Sequence, residues 1–472
     1  QDTQRQAAEE PMASITTTGI GSGLDIAGLV QSLVRAEGQA QAGRLERREA
    51  GFQARLSAYG SFRSAVEELR SALEPLKTLT RFQGRVVTSG NKDIVTGTAG
   101  TTAAPGSFAI EVVRLAAAQK LRSGVFAAET TAVGTGTLVV TTGGKSMTLT
   151  IDSTQGTLAG IRDALNGASD NPGVTASIVT GTAGAQLVLT SRSTGAGNAI
   201  TVTQSGGDGG LASLVYDPAN SILNLTEVSA AQDASILVDG VEVTSATNSF
   251  TSAISGVTID AAGVSAVGEP TTLTIAYDTT GARSKIDEFV GAYNSLVDNL
   301  RALASYDPET KVAGPLLGDA TYRDFSESVR RLMSTASSGL GVSFATLAEL
   351  GISRKLDGTL EVNDAKLTAA LTSDFDGVGR FFSAAGEGVA TRMDTLLERY
   401  VTAGGALDTR IKGLQQSIDG IGDEREALQA RLTAYEARLR TQFNALDSLV
   451  ARLRSTGDYL TQQLGNLPGA AR

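Results

Sequence analysis

The chain has 472 residues, 41% hydrophobic and 19% charged, which is enough to bury cores in roughly three domains and is not a disordered composition. It contains no Cys, no His and no Trp, which excludes disulfides, thiol nucleophiles, His/Cys metal sites and His-based triads. A net charge of −10 argues against a nucleic-acid binder, which needs a basic field.

There are 54 glycines, 9 prolines and only 5% aromatics, a composition that points to light, turn-rich β structure. No apolar run approaches the ~20 residues that span a bilayer, so membrane insertion is not expected. Residues 1–11 are polar and lack the apolar segment of a cleaved signal peptide. Met12-Ala13-Ser14 reads as a natural start, and 1–11 as an upstream extension or cloning remnant.

In chain order, Gly19-Ile20-Gly21-Ser22-Gly23 reads as a lead-in to a helix, with Ser22 or Asp25 as its cap. Residues 24–79 are helical in pattern. Leu45, Phe52, Leu56, Tyr59, Phe62, Val66, Leu69, Leu73 and Leu76 recur at steps of three, four and seven, and Pro75 marks the end. From 85 to about 277 the alternation is β, as in Ser107-Phe108-Ala109-Ile110-Glu111-Val112 and Met147-Thr148-Leu149-Thr150-Ile151. One helix interrupts it at 157–166, with Leu158, Ile161 and Leu165 on one face, and Ser205-Gly206-Gly207-Asp208-Gly209-Gly210 reads as a loop. Helices return after Thr280, through Phe289 and Tyr293 and then Tyr322, Phe325 and Val329. Asp357-Gly358 predicts a hairpin with a mirror-image turn.

The C-terminal stretch carries the strongest period. Leu407, Ile411, Leu414, Ile418, Ile421, Arg425, Leu428, Leu432, Tyr435, Leu439, Gln442, Leu446, Leu449 and Leu453 alternate at four and three residues, a heptad seam. It reads either as a coiled coil or as a long amphipathic helix packed on its own domain. Arg425 and Gln442 interrupt it, either setting register and partner number or, for Arg425, snorkelling. With no evident partner inside one chain, the terminal segments are expected to be loose in the monomer and to order on assembly.

The expected fold is multidomain α and β. It comprises terminal coiled-coil segments (12–44 and 416–472), a helical-bundle domain with a small hairpin (45–85 and 281–415), and two nested β-rich head domains. The outer head domain is 86–128 with 227–280; the inner one, 129–226, carries the short helix. Both termini are expected at one end of an elongated molecule.

Candidate chemistry is thin. Thr142-Gly143-Gly144-Lys145-Ser146 lacks the first glycine and the following helix of a phosphate loop, so it reads as a hairpin turn. The glycines before Asp25 follow no strand, against a dinucleotide loop. Asp152, Asp208 and Asp357 lie in turns without calcium-loop spacing. Arg44, Arg47 and Arg48, and Arg330 and Arg331, read as interface or solvated charges. No catalytic residue, cofactor or metal is expected.

Ile20-Gly21-Ser22-Gly23-Leu24-Asp25-Ile26, followed by Leu29-Val30-Gln31-Ser32-Leu33-Val34-Arg35-Ala36-Glu37, resembles the N-terminal signature of the bacterial flagellar filament cap (hook-associated protein 2) family. Val238-Asp239-Gly240-Val241 with Asn248, Phe289-Val290-Gly291-Ala292-Tyr293-Asn294-Ser295-Leu296, Pro315-Leu316-Leu317-Gly318-Asp319, Gln442-Phe443-Asn444-Ala445-Leu446-Asp447 and Ser455-Thr456-Gly457-Asp458-Tyr459-Leu460 are similar to its later segments. The stretch 129–226 carries no motif of it. The resemblance implies a non-enzymatic protein exported by the flagellar type III pathway without a cleaved signal. It implies a homo-oligomeric ring at the distal filament tip, outside the cell, that helps flagellin fold and insert. It further implies contacts with hook–filament junction proteins and an export chaperone, and in some members adhesion to host surfaces. Export demands unfolding, which a disulfide-free chain with few aromatics eases. The rival reading is another secreted adhesin or tail-tip-like structural protein.

Overall fold

In the computed structural model, which describes residues 23–337 and 341–465, the helix foreseen from residue 24 runs as α1, Ile26–Leu73. The Asp25 carboxylate accepts the Gly28 N–H at 2.9 Å, so Asp25 is the cap; Gly21 and Ser22 lie outside the described residues. Pro75 stands in the single 3-10 turn, Glu74–Leu76, that ends the run. The remaining helices are α2 (Leu79–Phe82), α3 (Leu158–Gly167), α4 (Thr279–Leu303), α5 (Ala320–Ser334), α6 (Asp364–Ser373), α7 (Phe375–Ser383), α8 (Val389–Val401) and α9 (Ala406–Gly465). The chain divides into a helical unit, residues up to 77 with 287–366 and 381 onward, and a β-rich unit, 78–286 with 367–380.

The helical unit is built around an aromatic core. Phe62 of α1 lies edge-on to Phe325 of α5 at 4.9 Å, and Phe325 lies edge-on to Tyr400 of α8 at 4.9 Å. Tyr59, Val66, Leu69 and Leu73 continue the buried stripe of α1. Asp319 caps α5 by accepting the Thr321 and Tyr322 N–H groups. Asn294 of α4 clamps the hairpin Ile352–Arg354/Leu360–Val362, donating to the Leu360 carbonyl at 2.9 Å and accepting its N–H at 2.6 Å. That hairpin forms, but not with the mirror-image turn: of its turn residues only Gly358 has positive φ, at +90°. The Gly358 N–H closes onto Lys355, and the Asp357 carboxylate takes the Thr359 N–H. An ordinary turn followed by one left-handed glycine satisfies the strand ends as well.

Charge fixes the end of α1. Asp394 of α8 accepts from Arg70 Nε at 2.8 Å and Lys77 Nζ at 2.7 Å. Burial pushes the Asp394 carboxyl up, but Arg70 and Lys77 outweigh it and hold the group below the usual carboxylate range.

In the β-rich unit a five-stranded antiparallel sheet has the order Arg85–Ser89, Thr271–Tyr277, Gly106–Arg114, Ala234–Val238, Val241–Ser245. A three-stranded sheet, Ser249–Ile254, Val257–Ala261 and Val95–Ala99, shares its core of Val95, Ile110, Ile236, Phe250, Ile259 and Leu273. The inner module has a five-stranded and a four-stranded sheet with α3. Thr157 caps α3, and Leu158, Ile161 and Leu165 enter an almost wholly aliphatic core with Val140, Leu187 and Leu189. Gly143 and Gly144, at φ +56° and +74°, make the hairpin turn between Gly136–Thr142 and Lys145–Ile151.

Two assignments change. The strands Lys120–Arg122 and Thr226–Ser229 pair with each other, Lys120–Arg122 also pairs with Gly184–Ser191 of the inner module, and Leu121 and Leu225 are buried in its core. The inner module therefore enters and leaves at the Ala117–Gln232 bridge rather than at 129 and 226. A three-residue strand with one apolar residue gives too little alternation to be seen in sequence. Residues 367–380 also leave the helical domain. Phe375 stacks on Tyr277 at 4.4 Å and packs on Phe82, while Asp376 accepts from Tyr277 and Gln83.

Two outcomes follow. The chain ends at an antiparallel bridge lie about 5 Å apart. Replacing 118–231 with a short Gly/Ser linker should leave the outer module with one cooperative melting transition by calorimetry. Replacing only 129–226 strands Leu121 and should lower that transition. Asp394→Asn should cost about 1–3 kcal/mol at pH 7 in urea unfolding. Because the folded-state pKa of Asp394 is depressed, its stabilisation is present above the unfolded value and is lost as pH falls through the folded one. The variant and parent should converge in acid.

Candidate assembly surface on the long helices

α1 and α9 pair antiparallel. Ile26 and Val30 pack on Leu439, with Val34, Tyr435 and Phe443 beside them. Leu45 packs on Ile421 and Leu428, with Ala42, Phe52 and Leu432 around it. Between these clusters Gly38 lies under Leu432; a Cβ there would sit 2.6 Å from Leu432 Cδ1, so the missing side chain is what admits Leu432. Polar pairs hold the same register: Arg48 with Glu424 at 2.8 Å, Arg425 with Glu49 at 2.5 Å, and Arg431 with Gln41 at 2.6 Å.

Of the heptad positions, Leu407, Leu414, Ile421, Leu428 and Leu439 are buried, and Ile411, Ile418, Leu432 and Tyr435 are half-buried. Arg425, Gln442, Leu446, Leu449 and Leu453 are exposed. The expectation that the seam finds nothing in its own chain is thus corrected: as far as Leu439, α1 covers it. Arg425 is not a core residue. Its side chain is 45% exposed and its partner is Glu49 across the pair, not Asp423, Glu424 or Glu426 beside it. At Gln442 the contact passes to Phe443.

Because Leu439 already faces the first turns of α1, the next turns of α9 pass the start of that helix. Leu446, Leu449, Leu453, Leu460 and Leu464 are 50–64% exposed, and Leu29 and Leu33 of α1 about 40%. Among the described residues these leucines form a continuous exposed apolar stripe on an otherwise charged helix. A groove of about 570 Å³ opens beside Gly38, floored by Val34, Ala42, Leu428 and Leu432 and rimmed by Arg35, Glu46 and Glu436.

The acidic loop residues serve their own turns. Asp152 accepts from Thr154 and Gln155, and Asp208 from Thr135 and Gly210. The Asp239-Gly240 turn has φ +48° and +84°, and its carboxylate takes the Ala109 N–H at 2.8 Å. Among the described residues no group of three or more carboxylates could hold a metal ion.

Known proteins align along nearly the whole chain. The family models for the Flagellar hook-associated protein 2 N-terminus and C-terminus match residues 22–119 and 231–455, stopping and resuming at the Ala117–Gln232 bridge. The inner module, for which no motif was recognised in sequence, matches the Flagellin hook IN motif over 137–193. The chain is 35% identical to the B-type flagellar hook-associated protein 2 of Pseudomonas aeruginosa, over 97% of this chain and 98% of that one. It is also 35% identical to the flagellar hook-associated protein 2 of Escherichia coli K12, over 96% and 99%. The crystal structure of the flagellar cap protein FliD D1-D2-D3 domains from Escherichia coli aligns with a TM-score of 0.64 at 32% identity, covering 76% of this chain and 99% of that one.

The register yields a contrast. Ile421→Ala should cost about 2–4 kcal/mol, because Ile421 is 1% exposed. Changing Arg425 and Gln442 together to Leu should move stability by less than about 1 kcal/mol, since both lie on the surface. Urea unfolding followed by helical circular dichroism separates the two.

Proposed function

Since the chain belongs to the flagellar hook-associated protein 2 family, we propose that it works at the distal filament end as a homo-oligomeric ring through which exported flagellin folds and inserts. It is a structural protein of the flagellar filament cap. The observation that carries the assembly reading is the leucine stripe beyond Leu439. Burying each such side chain is worth ~1.5–3 kcal/mol, so the stripe supplies the drive to order against flagellin or hook–filament junction proteins. The groove beside Gly38 takes a further helix in the same assembly. A stripe left exposed among the described residues also needs cover before assembly, which an export chaperone would provide. The chain leaves the cell unfolded through the flagellar export route; lacking cysteine, it has no disulfide to break. A secreted adhesin or tail-tip protein of similar layout is not favoured, because the family match includes both long helices and the β modules between them.

A deletion strain should be non-motile and shed unpolymerised flagellin, and complementation should restore filaments; normal filaments without the gene would overturn the reading. Complementing with Leu446, Leu449 and Leu453 all changed to Ser should fail in the same way. The purified variant should melt within about 0.5 kcal/mol of the parent, since these positions are exposed. Filament electron microscopy and calorimetry give the two readouts.

A further inference from the structure

On the helical unit, α5 and α8 together enclose an open cavity of about 480 Å³ that the assembly surface above does not use. Three arginines line it, Arg331 from α5 and Arg392 and Arg399 from α8, with the hydroxyls of Ser328, Thr335 and Thr395. The spacing helps put them there: Arg392 and Arg399 are seven apart on one face of α8, Ser328 and Arg331 are three apart on α5, and Thr335 caps the end of α5. Among the described residues no acidic side chain lines the cavity. Arg392 donates through Nη2 to Ser337 at 2.9 Å, but its buried Nε–H has no acceptor among the described residues. Arg331 and Arg399 form no ion pair among the described residues.

Three guanidinium groups lining one cavity with no counter-ion among the described residues repel one another, and a buried donor without an acceptor costs free energy. Both costs are relieved by an oxyanion, which a guanidinium grips with two parallel hydrogen bonds. That such a basic hollow persists on a chain with 50 acidic and 40 basic residues makes the rest of the same chain's surface its natural complement. In a ring each copy presents one patch to a different patch of the next, so the cavity of one can meet a carboxylate of its neighbour.

We propose that this cavity is an inter-subunit oxyanion site that receives an acidic side chain from the adjacent copy of the chain. The inference rests on the ring reading above. Arg331 and Arg399 lie at the surface, so changing both to Glu should leave folding intact.

The test is sedimentation velocity of the full-length chain at low and high salt. The parent should self-associate, more weakly in high salt. Arg331→Glu with Arg399→Glu should weaken association by about tenfold or more with an unchanged melting curve. The paired Lys substitutions, which keep charge but lose the fork, should fall between. A charge-reversed variant that associates like the parent overturns the inference and leaves the ring standing. A parent that stays monomeric throughout overturns the ring and this inference with it. Saturable binding of inorganic phosphate that leaves self-association unchanged would assign the cavity to a free oxyanion and overturn the carboxylate assignment.

Discussion

The burial of α1 against α9 is the contact on which the rest of the helical unit depends. Neither helix could stand in water with its apolar stripe exposed, since long helices in proteins are held mainly by packing rather than propensity. Yet the two come from opposite ends of the sequence: Ile26 meets Leu439, and Leu45 meets Ile421. Everything between them is an insertion within a two-helix pair, just as the inner β module is an insertion at the Ala117–Gln232 bridge. Closing contacts across that separation makes folding slow and leaves the stripe open until the chain is complete.

Register across the pair is set by local chemistry rather than by apolar burial alone. Gly38 leaves room for Leu432, whose side chain would have to shift if a Cβ stood there. Arg48 with Glu424 and Arg425 with Glu49 flank the Leu45 cluster, so a slip of one turn would break both. Exposed ion pairs contribute little each, and their value here is to make the wrong registers worse.

Periodic features were legible in the sequence, and their partners were not. The run from Leu45 to Leu76, the amphipathic α3 and the β alternation all follow from spacing of three, four or two residues, which reports how a segment faces a core. The same spacing cannot say which element supplies that core. The heptad of α9 therefore left open whether another chain or its own domain covers it, and α1 fills it as far as Leu439. Leu121 carried the true boundary of the inner module, but one buried leucine between Lys120 and Arg122 leaves no pattern. Phe375 and Asp376 moved a helical segment to the β-rich unit through contacts with Tyr277 and Phe82 that no local rule encodes. The arginine cavity is of the same kind: Arg331 stood out as half of a basic doublet, while its convergence with Arg392 and Arg399 needs the α5–α8 packing.

Because the chain has no cysteine, two introduced thiols can be labelled cleanly. Spin labels at Gln41→Cys and Arg431→Cys, in full-length chain diluted to the monomer, test the intrachain pairing directly by pulsed dipolar spectroscopy. Helices packed with axes about 8–10 Å apart should give one narrow, short distance that does not change on further dilution. A broad distribution at long distance, or a short distance that vanishes with dilution, would contradict a pair formed within one chain.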